Sequence, residues 1–155
     1  MKATETWLSE YGESHQNSTN KAIHWVCVPL IFFSITGLLY SIKIPVDTSL
    51  FQPLNLAHLA LAAIFIYYTV LSWSLTIGMF VFGTICFLVC NWIEKNINTP
   101  LWQVSLLIFV VAWIGQFYSH KVEGKKPSFL KDLQFLLIGP AWLMSFIYKR
   151  FGISL

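Results

Sequence analysis

A long window without charged residues constrains this chain most strongly. No Asp, Glu, Lys or Arg occurs between Asp47 and Glu94. A charged side chain at the middle of a bilayer costs several kcal/mol, so a window of this kind marks membrane-spanning segments. One span takes about 20 residues. The window therefore predicts two spans, at about 54–71 and 75–93, with a turn at 72–74 between them.

Two further apolar stretches flank this window. The first predicted span, 26–42, lies between Lys21 and Lys43, and the fourth, 101–117, follows Lys95. Only 11% of the residues are charged and the mean hydropathy is +0.64, whereas soluble domains carry about 25% charged residues. We therefore predict an all-α integral membrane protein with about four transmembrane helices, forming a single membrane domain, 1–155. Tryptophans favour the headgroup region, and four of them lie at the predicted span ends: Trp25, Trp73, Trp92 and Trp102.

The two ends of the chain are predicted to pack at the membrane surface. An N-terminal amphipathic helix is expected from about Thr4 to near His15, and it would bury Trp7, Leu8 and Tyr11. The last apolar run, 133–148, carries Gly139-Pro140 at its middle, where a proline removes a backbone donor and kinks a helix. We predict a re-entrant or interfacial helical hairpin for this run, with a fifth, tilted span as the alternative.

The basic residues predict the orientation of the chain in the membrane. With four spans, Lys43 and Lys95 face one side, and the other eight of the ten Lys and Arg residues face the other. Because cytoplasmic loops carry an excess of Lys and Arg, both termini are predicted to be cytoplasmic, in a bacterial inner membrane or the endoplasmic reticulum. Ten Lys and Arg residues against seven Asp and Glu residues, a net charge of +3, are too few for a nucleic-acid surface. We therefore interpret the basic residues as topology signals and expect membrane lipid, and no nucleic acid, as a partner.

Three of the four histidines are predicted to lie at the same face of the membrane. His15 and His24 precede the first span, and His120 follows the fourth. His58 lies about one turn into the second span, near the opposite face of the membrane. On one straight helix, His15 and His24 would point in opposite directions. The short polar residues 17–20 favour a helix break, which lets these two side chains converge.

The histidine cluster has a carboxylate close to it in sequence. His120 and Glu123 are three residues apart, a spacing that places both on one helix face and that occurs in helical-bundle metal sites. Three histidines with a nearby carboxylate suit a single first-row metal and are typical of non-haem Fe(II) oxygen chemistry. Zinc hydrolases use similar ligands, so the ligand types leave the metal open.

Two motifs resemble a known family, the small membrane Fe(II)-dependent dioxygenases of the 2-hydroxy-palmitic acid dioxygenase type, which act in fatty acid α-oxidation during phytosphingosine breakdown. The resemblance extends from about Tyr11 to Tyr148 and includes the number and order of the spans. The motifs that carry it are His15-x4-Asn20-x3-His24-x4-Pro29 and Gln116-x3-His120-x2-Glu123-Gly124-Lys125-Lys126-Pro127.

The resemblance implies an enzyme that uses Fe(II) and O2, without 2-oxoglutarate, to shorten a 2-hydroxy fatty acid by one carbon. It places His15, His24 and His120 at the iron, and His58 matches no histidine of the family. Four other polar residues of the site are assigned to catalysis: Tyr11, Asn20, Gln116 and Glu123. Tyr11 or Glu123 would relay protons. Lys121, Lys125 or Lys126 would steer the substrate carboxylate to the site.

The sequence departs from the family pattern at two places. The family usually has Gly before the third histidine, where this chain has Ser119, and Pro-Ala-Leu after the basic pair, where it has Pro127-Ser128-Phe129. Two other functions stay open on the residues alone. One is a zinc-dependent membrane hydrolase with the same ligands. The other is a non-catalytic membrane protein that binds lipid or a partner, which would bind no metal and tolerate substitution of the histidines.

Overall fold

The described part of the chain is entirely helical, as the sequence predicts, apart from one isolated β-bridge. The computed structural model describes residues 2–13, 15–45, 54–124 and 129–154. Over these ranges it contains six helices, whose bounds are α1 Lys2–Glu13, α2 Ser18–Tyr40, α3 Leu56–Leu71, α4 Trp73–Asn96, α5 Leu101–Glu123 and α6 Phe129–Phe151.

Three of these helices are long and apolar enough to cross a membrane, namely α2, α4 and α5. The predicted span at 54–71 corresponds to α3, a shorter apolar helix of 16 residues. The predicted turn at 72–74 is tighter than expected, because only Ser72 lies between α3 and α4. The Ser72 hydroxyl accepts a hydrogen bond from the backbone N–H of Leu75 and so caps the start of α4.

The most extensive helix contact joins α2 and α5, which run antiparallel. Small buried side chains recur every seventh residue on α5: Ser105, Ala112 and Ser119. A Cβ atom on Gly37 of α2 would overlap Ser105 Oγ, and one on Gly115 of α5 would lie 2.6 Å from Cys27 Sγ. Small residues let helix backbones approach closely inside a membrane. This contact therefore brings the start of α2 beside the end of α5.

The N-terminal helix packs against α6. Its residues Leu8 and Tyr11 are buried, so this helix turns an apolar face inward. The side chain of Trp7, which was expected on the same face, lies outside the described residues. The predicted break is also present, because the Asn17 side chain accepts hydrogen bonds from the backbone N–H groups of Thr19 and Asn20 and caps α2.

The prediction of a hairpin at 133–148 was wrong, because α6 continues through Pro140 as one helix. A proline lacks the N–H that would bond the carbonyl four residues earlier, here the carbonyl of Leu136. The adjacent carbonyl, that of Leu137, accepts a hydrogen bond from the Tyr68 hydroxyl of α3. A neighbouring helix therefore supplies a donor at the position where the internal hydrogen bonding of α6 is weakened.

The α6 helix packs at the end of the bundle that carries the starts of α2 and α4 and the end of α3. Gly139 lies against Val28, and the Tyr148 hydroxyl donates to the backbone carbonyl of Ser74. The Ser74 hydroxyl in turn donates to the carbonyl of Ser154, which follows α6. Helix α6 and helix α1 therefore cover one end of the bundle together.

His58 has a structural role at the other end of the bundle. Its Nδ1 accepts a hydrogen bond of 3.2 Å from the backbone N–H of Asn55, the residue that precedes α3. Its ring packs against Phe87 of α4, with the ring centroids 4.7 Å apart. His58 therefore caps α3 and is separated from the other three histidines, as the span order predicts.

The close contact between α2 and α5 generates a stability prediction. Gly37→Leu would force side-chain atoms into the space that Ser105 occupies and lower the free energy of unfolding by about 1–3 kcal/mol, the usual cost of overpacking. Ala22→Leu adds a leucine at an exposed position of the same helix and should leave stability nearly unchanged. Thermal unfolding in detergent measures both variants, and equal midpoints for the two would contradict this description of the contact.

Candidate metal centre

Three histidines meet at the end of the bundle that α1 and α6 cover. His15 lies between α1 and α2, His24 in the second turn of α2 and His120 in the last turn of α5. The Nε2 atoms of His15 and His24 are 2.9 Å apart. The ring centroid of His120 lies 6.0 Å from that of His15 and 5.6 Å from that of His24. The chain thus brings together the three histidines that were predicted to share a face.

Backbone carbonyls determine which nitrogen of each buried ring carries a hydrogen. His15 Nδ1 lies 2.6 Å from the carbonyl oxygen of Tyr11, and His24 Nδ1 lies 3.0 Å from that of Asn20. A carbonyl oxygen only accepts hydrogen bonds, so each Nδ1 is the donor and each neutral ring presents a lone pair at Nε2. The same arrangement orients metal-binding histidines in many proteins.

The short distance between these two nitrogens suits two ligands of one metal ion, and a shared proton gives the same spacing. Two lone pairs at 2.9 Å repel each other unless a proton or a metal ion interacts with both. Two nitrogens that are each about 2.1 Å from a metal, at right angles to each other, lie about 3.0 Å apart. His15 and His24 are 2% and 1% exposed, so little solvent reaches them. These two nitrogens are therefore placed as two neighbouring ligands of a first-row metal would be.

His120 lies beside this pair without completing a metal-binding geometry. Within the ranges that the structure describes, no group of three or more His, Cys, Asp or Glu side chains is arranged to hold a metal ion. The His120 ring is only partly buried and stands nearly perpendicular to that of His24, with an interplanar angle of 88°. The structure thus places the Nε2 atoms of His15 and His24 as close together as two ligands of one metal ion, with the His120 ring next to them.

Aromatic rings form one wall of the site. Tyr11 stacks on His15 with a centroid distance of 4.1 Å and an interplanar angle of 16°. Trp142 of α6 lies 5.3 Å from the Tyr11 ring and 5.4 Å from the His15 ring. Trp142 and Tyr11 are both buried. These rings hold the His15 imidazole in place and exclude water from one side of it.

Sequence reasoning did not identify Trp142 as part of the site. The expected hairpin at 133–148 would have turned at Gly139-Pro140 and separated Trp142 from the surface helix. In the continuous helix, Trp142 follows Gly139 by less than one turn. Gly139 packs against Tyr11, because a Cβ atom added to this glycine would lie 3.2 Å from the Tyr11 hydroxyl. One feature of the sequence could have indicated the role of Trp142. Its indole is surrounded in the sequence by small residues of α6, namely Gly139, Ala141 and Ser145.

Glu123 holds the segment between α1 and α2 against the end of α5. Its carboxylate accepts hydrogen bonds from the backbone N–H groups of Gln16 and Asn17, at 2.9 and 3.1 Å, and from Asn20 Nδ2 at 2.8 Å. Three N–H donors favour the ionised carboxylate. Because Gln16 directly follows His15, the carboxylate helps to fix the position of that histidine. This geometry gives Glu123 a positioning role.

Two buried polar residues of α5 line the other side of His24. The Ser119 hydroxyl donates to the backbone carbonyl of Gln116 at 2.7 Å, and it lies 3.5 Å from His24 Nδ1. Ser119 and Gln116 are both buried. The departure from the glycine of the family pattern is thus accommodated by a hydrogen bond within α5. Of the predicted steering residues, Lys121 is exposed beside the site, and Lys125 and Lys126 lie outside the described residues, as do Pro127 and Ser128.

Removal of the Glu123 carboxylate should weaken metal binding. Glu123→Ala leaves three N–H donors without their acceptor and loosens the segment that carries His15. Substitutions behind metal ligands typically cost about 10–100-fold in metal affinity, and we expect a loss of roughly 10-fold here. Glu5→Ala removes an exposed carboxylate of α1 as the control. Titration of Fe(II) under anaerobic conditions measures the effect, and equal affinities in the two variants would argue against this role.

The comparisons with known proteins agree with the resemblance found in the motifs. The family model described as "2-hydroxy-palmitic acid dioxygenase Mpo1-like" matches residues 1–151. The 2-hydroxy-palmitic acid dioxygenase MPO1 of Saccharomyces cerevisiae is 29% identical over 145 residues, which cover 92% of this chain and 78% of that protein. No solved structure matches the chain. The family match covers nearly the whole chain, and the protein therefore belongs to the Mpo1-like family.

Proposed function

We propose that this protein is an iron-dependent dioxygenase that shortens 2-hydroxy fatty acids by one carbon with O2, at the cytoplasmic face of a membrane. The observation that carries the proposal is the 2.9 Å approach of the His15 and His24 Nε2 atoms in a buried site. Family membership supports the reaction type, because the yeast relative is named a 2-hydroxy-palmitic acid dioxygenase.

The three histidines are the proposed ligands. His15 and His24 already present their Nε2 lone pairs to each other, and His120 would join them through a change in its side-chain torsions. Bound there, Fe(II) would supply the O2 chemistry and a place where the carboxylate and hydroxyl of a 2-hydroxy acid chelate. The protein contributes orientation of the rings through the Tyr11 and Asn20 carbonyls, and exclusion of water through Trp142.

The overall reaction balances without a further co-substrate. A 2-hydroxy acid and O2 give the acid with one carbon fewer, CO2 and water. The substrate loses four electrons, which is the number that reduces one O2.

The proposed topology has four crossings, α2 to α5, with both termini cytoplasmic. Helix α3 has 16 residues, which span about 24 Å at 1.5 Å per residue, somewhat less than the bilayer core of about 30 Å. Neighbouring helices and local thinning of the bilayer accommodate a short span of this kind. Helices α1 and α6 would lie at the cytoplasmic interface, where they cover the histidines.

The acyl chain of the substrate is proposed to enter an apolar groove between α2, α3 and α6, whose cavity of about 40 Å³ would have to widen to hold the chain. The groove starts at Phe32, two turns beyond His24 and so about 12 Å from it along the helix axis. Its polar lining residue, Thr36, already donates its hydroxyl hydrogen to the Phe32 carbonyl. The groove is lined by Phe32, Ile35, Thr36, Leu39, Ala57, Ala60, Leu61, Ile64 and Leu137.

The groove predicts a change in chain-length preference. Ala60→Phe should fill the groove and shift the preferred substrate to shorter 2-hydroxy acids, with at least a 10-fold loss of kcat/KM for 2-hydroxypalmitate. Ala63→Phe adds the same side chain at an exposed position of α3 and should leave the preference unchanged. Competition between 2-hydroxy acids of different length measures this shift. An unchanged order of preference in Ala60→Phe would exclude this groove as the acyl site.

Metal content and oxygen use test the proposed function itself. Protein purified anaerobically and reconstituted with Fe(II) should hold about one iron per chain and consume O2 with 2-hydroxypalmitate. His24→Ala should lose both iron and turnover, whereas His58→Ala should keep both, because His58 caps α3 far from the site. Bound zinc with hydrolysis that needs no O2 would indicate a hydrolase. Absence of metal after reconstitution would leave a non-catalytic membrane protein.

A further inference from the structure

One buried polar atom at the histidine site has no partner. Asn20 is fully buried, and its Oδ1 makes no hydrogen bond within the part of the chain that the structure describes. The other side-chain oxygens in this condition belong to Asn55 and Ser105, at the opposite end of the bundle. Buried polar groups in native proteins are almost always paired. The Asn20 oxygen therefore indicates a place where something that is bound donates a hydrogen bond.

The orientation of the Asn20 amide is fixed by its neighbour. Asn20 Nδ2 lies 2.8 Å from Glu123 Oε2. A carboxylate oxygen only accepts, so the nitrogen must face Glu123 and the oxygen must face away from it. An exchange of the two amide atoms would place two acceptors against each other. The unpaired atom is therefore an acceptor, and it calls for a donor.

Three polar groups close to this atom are already engaged with other acceptors. The Nδ1 atoms of His15 and His24 point to backbone carbonyls. The Ser119 hydroxyl donates to the Gln116 carbonyl. A bound molecule that carries a polar hydrogen would supply the donor that Asn20 Oδ1 lacks among the described residues.

We propose that Asn20 Oδ1 accepts the hydrogen bond of the substrate's 2-hydroxyl group and so selects 2-hydroxy acids over unsubstituted fatty acids. This inference rests on the proposed function. An ionised 2-hydroxy acid carries one polar hydrogen, that of its hydroxyl, since the carboxylate accepts only. Asn20 precedes His24 by four residues, which places both on one face of α2. The acceptor thus lies beside a proposed iron ligand.

The selectivity has a physical basis in the unpaired acceptor. A fatty acid without the hydroxyl would seal Asn20 Oδ1 away from water and leave it without a donor. Sites built to hydrogen-bond a substrate hydroxyl reject analogues that lack it far more strongly than apolar pockets reject a size change. A water molecule that stays in the site with either acid would remove this penalty, and it is the competing occupant.

Binding to the metal-free protein separates this hydrogen bond from chelation by iron. Quenching of tryptophan fluorescence, with Trp142 in the site wall, reports binding of 2-hydroxypalmitate and of palmitate in detergent. The wild-type protein should bind 2-hydroxypalmitate at least 10-fold more tightly. Asn20→Leu, which keeps the approximate shape of the side chain and removes the acceptor, should bind the two acids within 3-fold of each other.

Two further variants make the outcome decisive. Ser34→Ala removes a buried oxygen of the same helix that already has its partner, the Ile31 carbonyl, and it should keep the selectivity of the wild-type protein. Asn20→Ala repeats the test if Asn20→Leu does not fold, with thermal unfolding as the check. Equal selectivity in the wild-type protein and the Asn20 variants would overturn the inference and leave the proposed function intact. Failure of the metal-free wild-type protein to bind 2-hydroxypalmitate would also overturn the inference, whereas the proposed function is tested separately by iron content and O2 consumption.

Discussion

The site depends on the close contact between α2 and α5. Gly37 and Gly115 let the two helices approach so closely that an added Cβ would overlap Ser105 or Cys27. Because the helices are antiparallel, the start of α2 lies beside the end of α5. His24 and His120 then meet even though they lie far apart in sequence. The hydrogen bonds of Glu123 to Gln16 and Asn17 bring His15 to the same place.

Much of this arrangement follows from the sequence. The charge-free windows predict the order of the apolar helices, and an even number of crossings predicts that His15, His24 and His120 share a face. The polar residues before α2 predict the break that lets two histidines converge, and Asn17 forms the cap there. These features can be predicted from the sequence because they depend on local chemistry. The helix order depends on the cost of burying charge, and the break before α2 depends on the hydrogen bonds of short polar side chains.

The parts that the sequence did not predict depend on contacts between distant residues. A proline in an apolar run predicts a kink or a turn, and the sequence alone does not reveal that Tyr68 donates to the Leu137 carbonyl beside it. The position of Trp142 over His15 follows from that continuous helix. The hydrogen bonds of Glu123 likewise require the segment before α2 to lie against the end of α5. Spacing alone placed Glu123 near His120 and did not distinguish a ligand from a residue that positions one.

The proposed function requires that imidazole nitrogens of this chain bind iron directly. X-ray absorption at the iron edge, on protein loaded anaerobically with Fe(II), measures these bonds. We predict two or three imidazole nitrogens at about 2.1 Å, the usual metal–nitrogen distance for histidine, with the outer-shell scattering of the rings. Iron coordinated by oxygen alone, or iron that does not stay with the protein, would contradict this prediction.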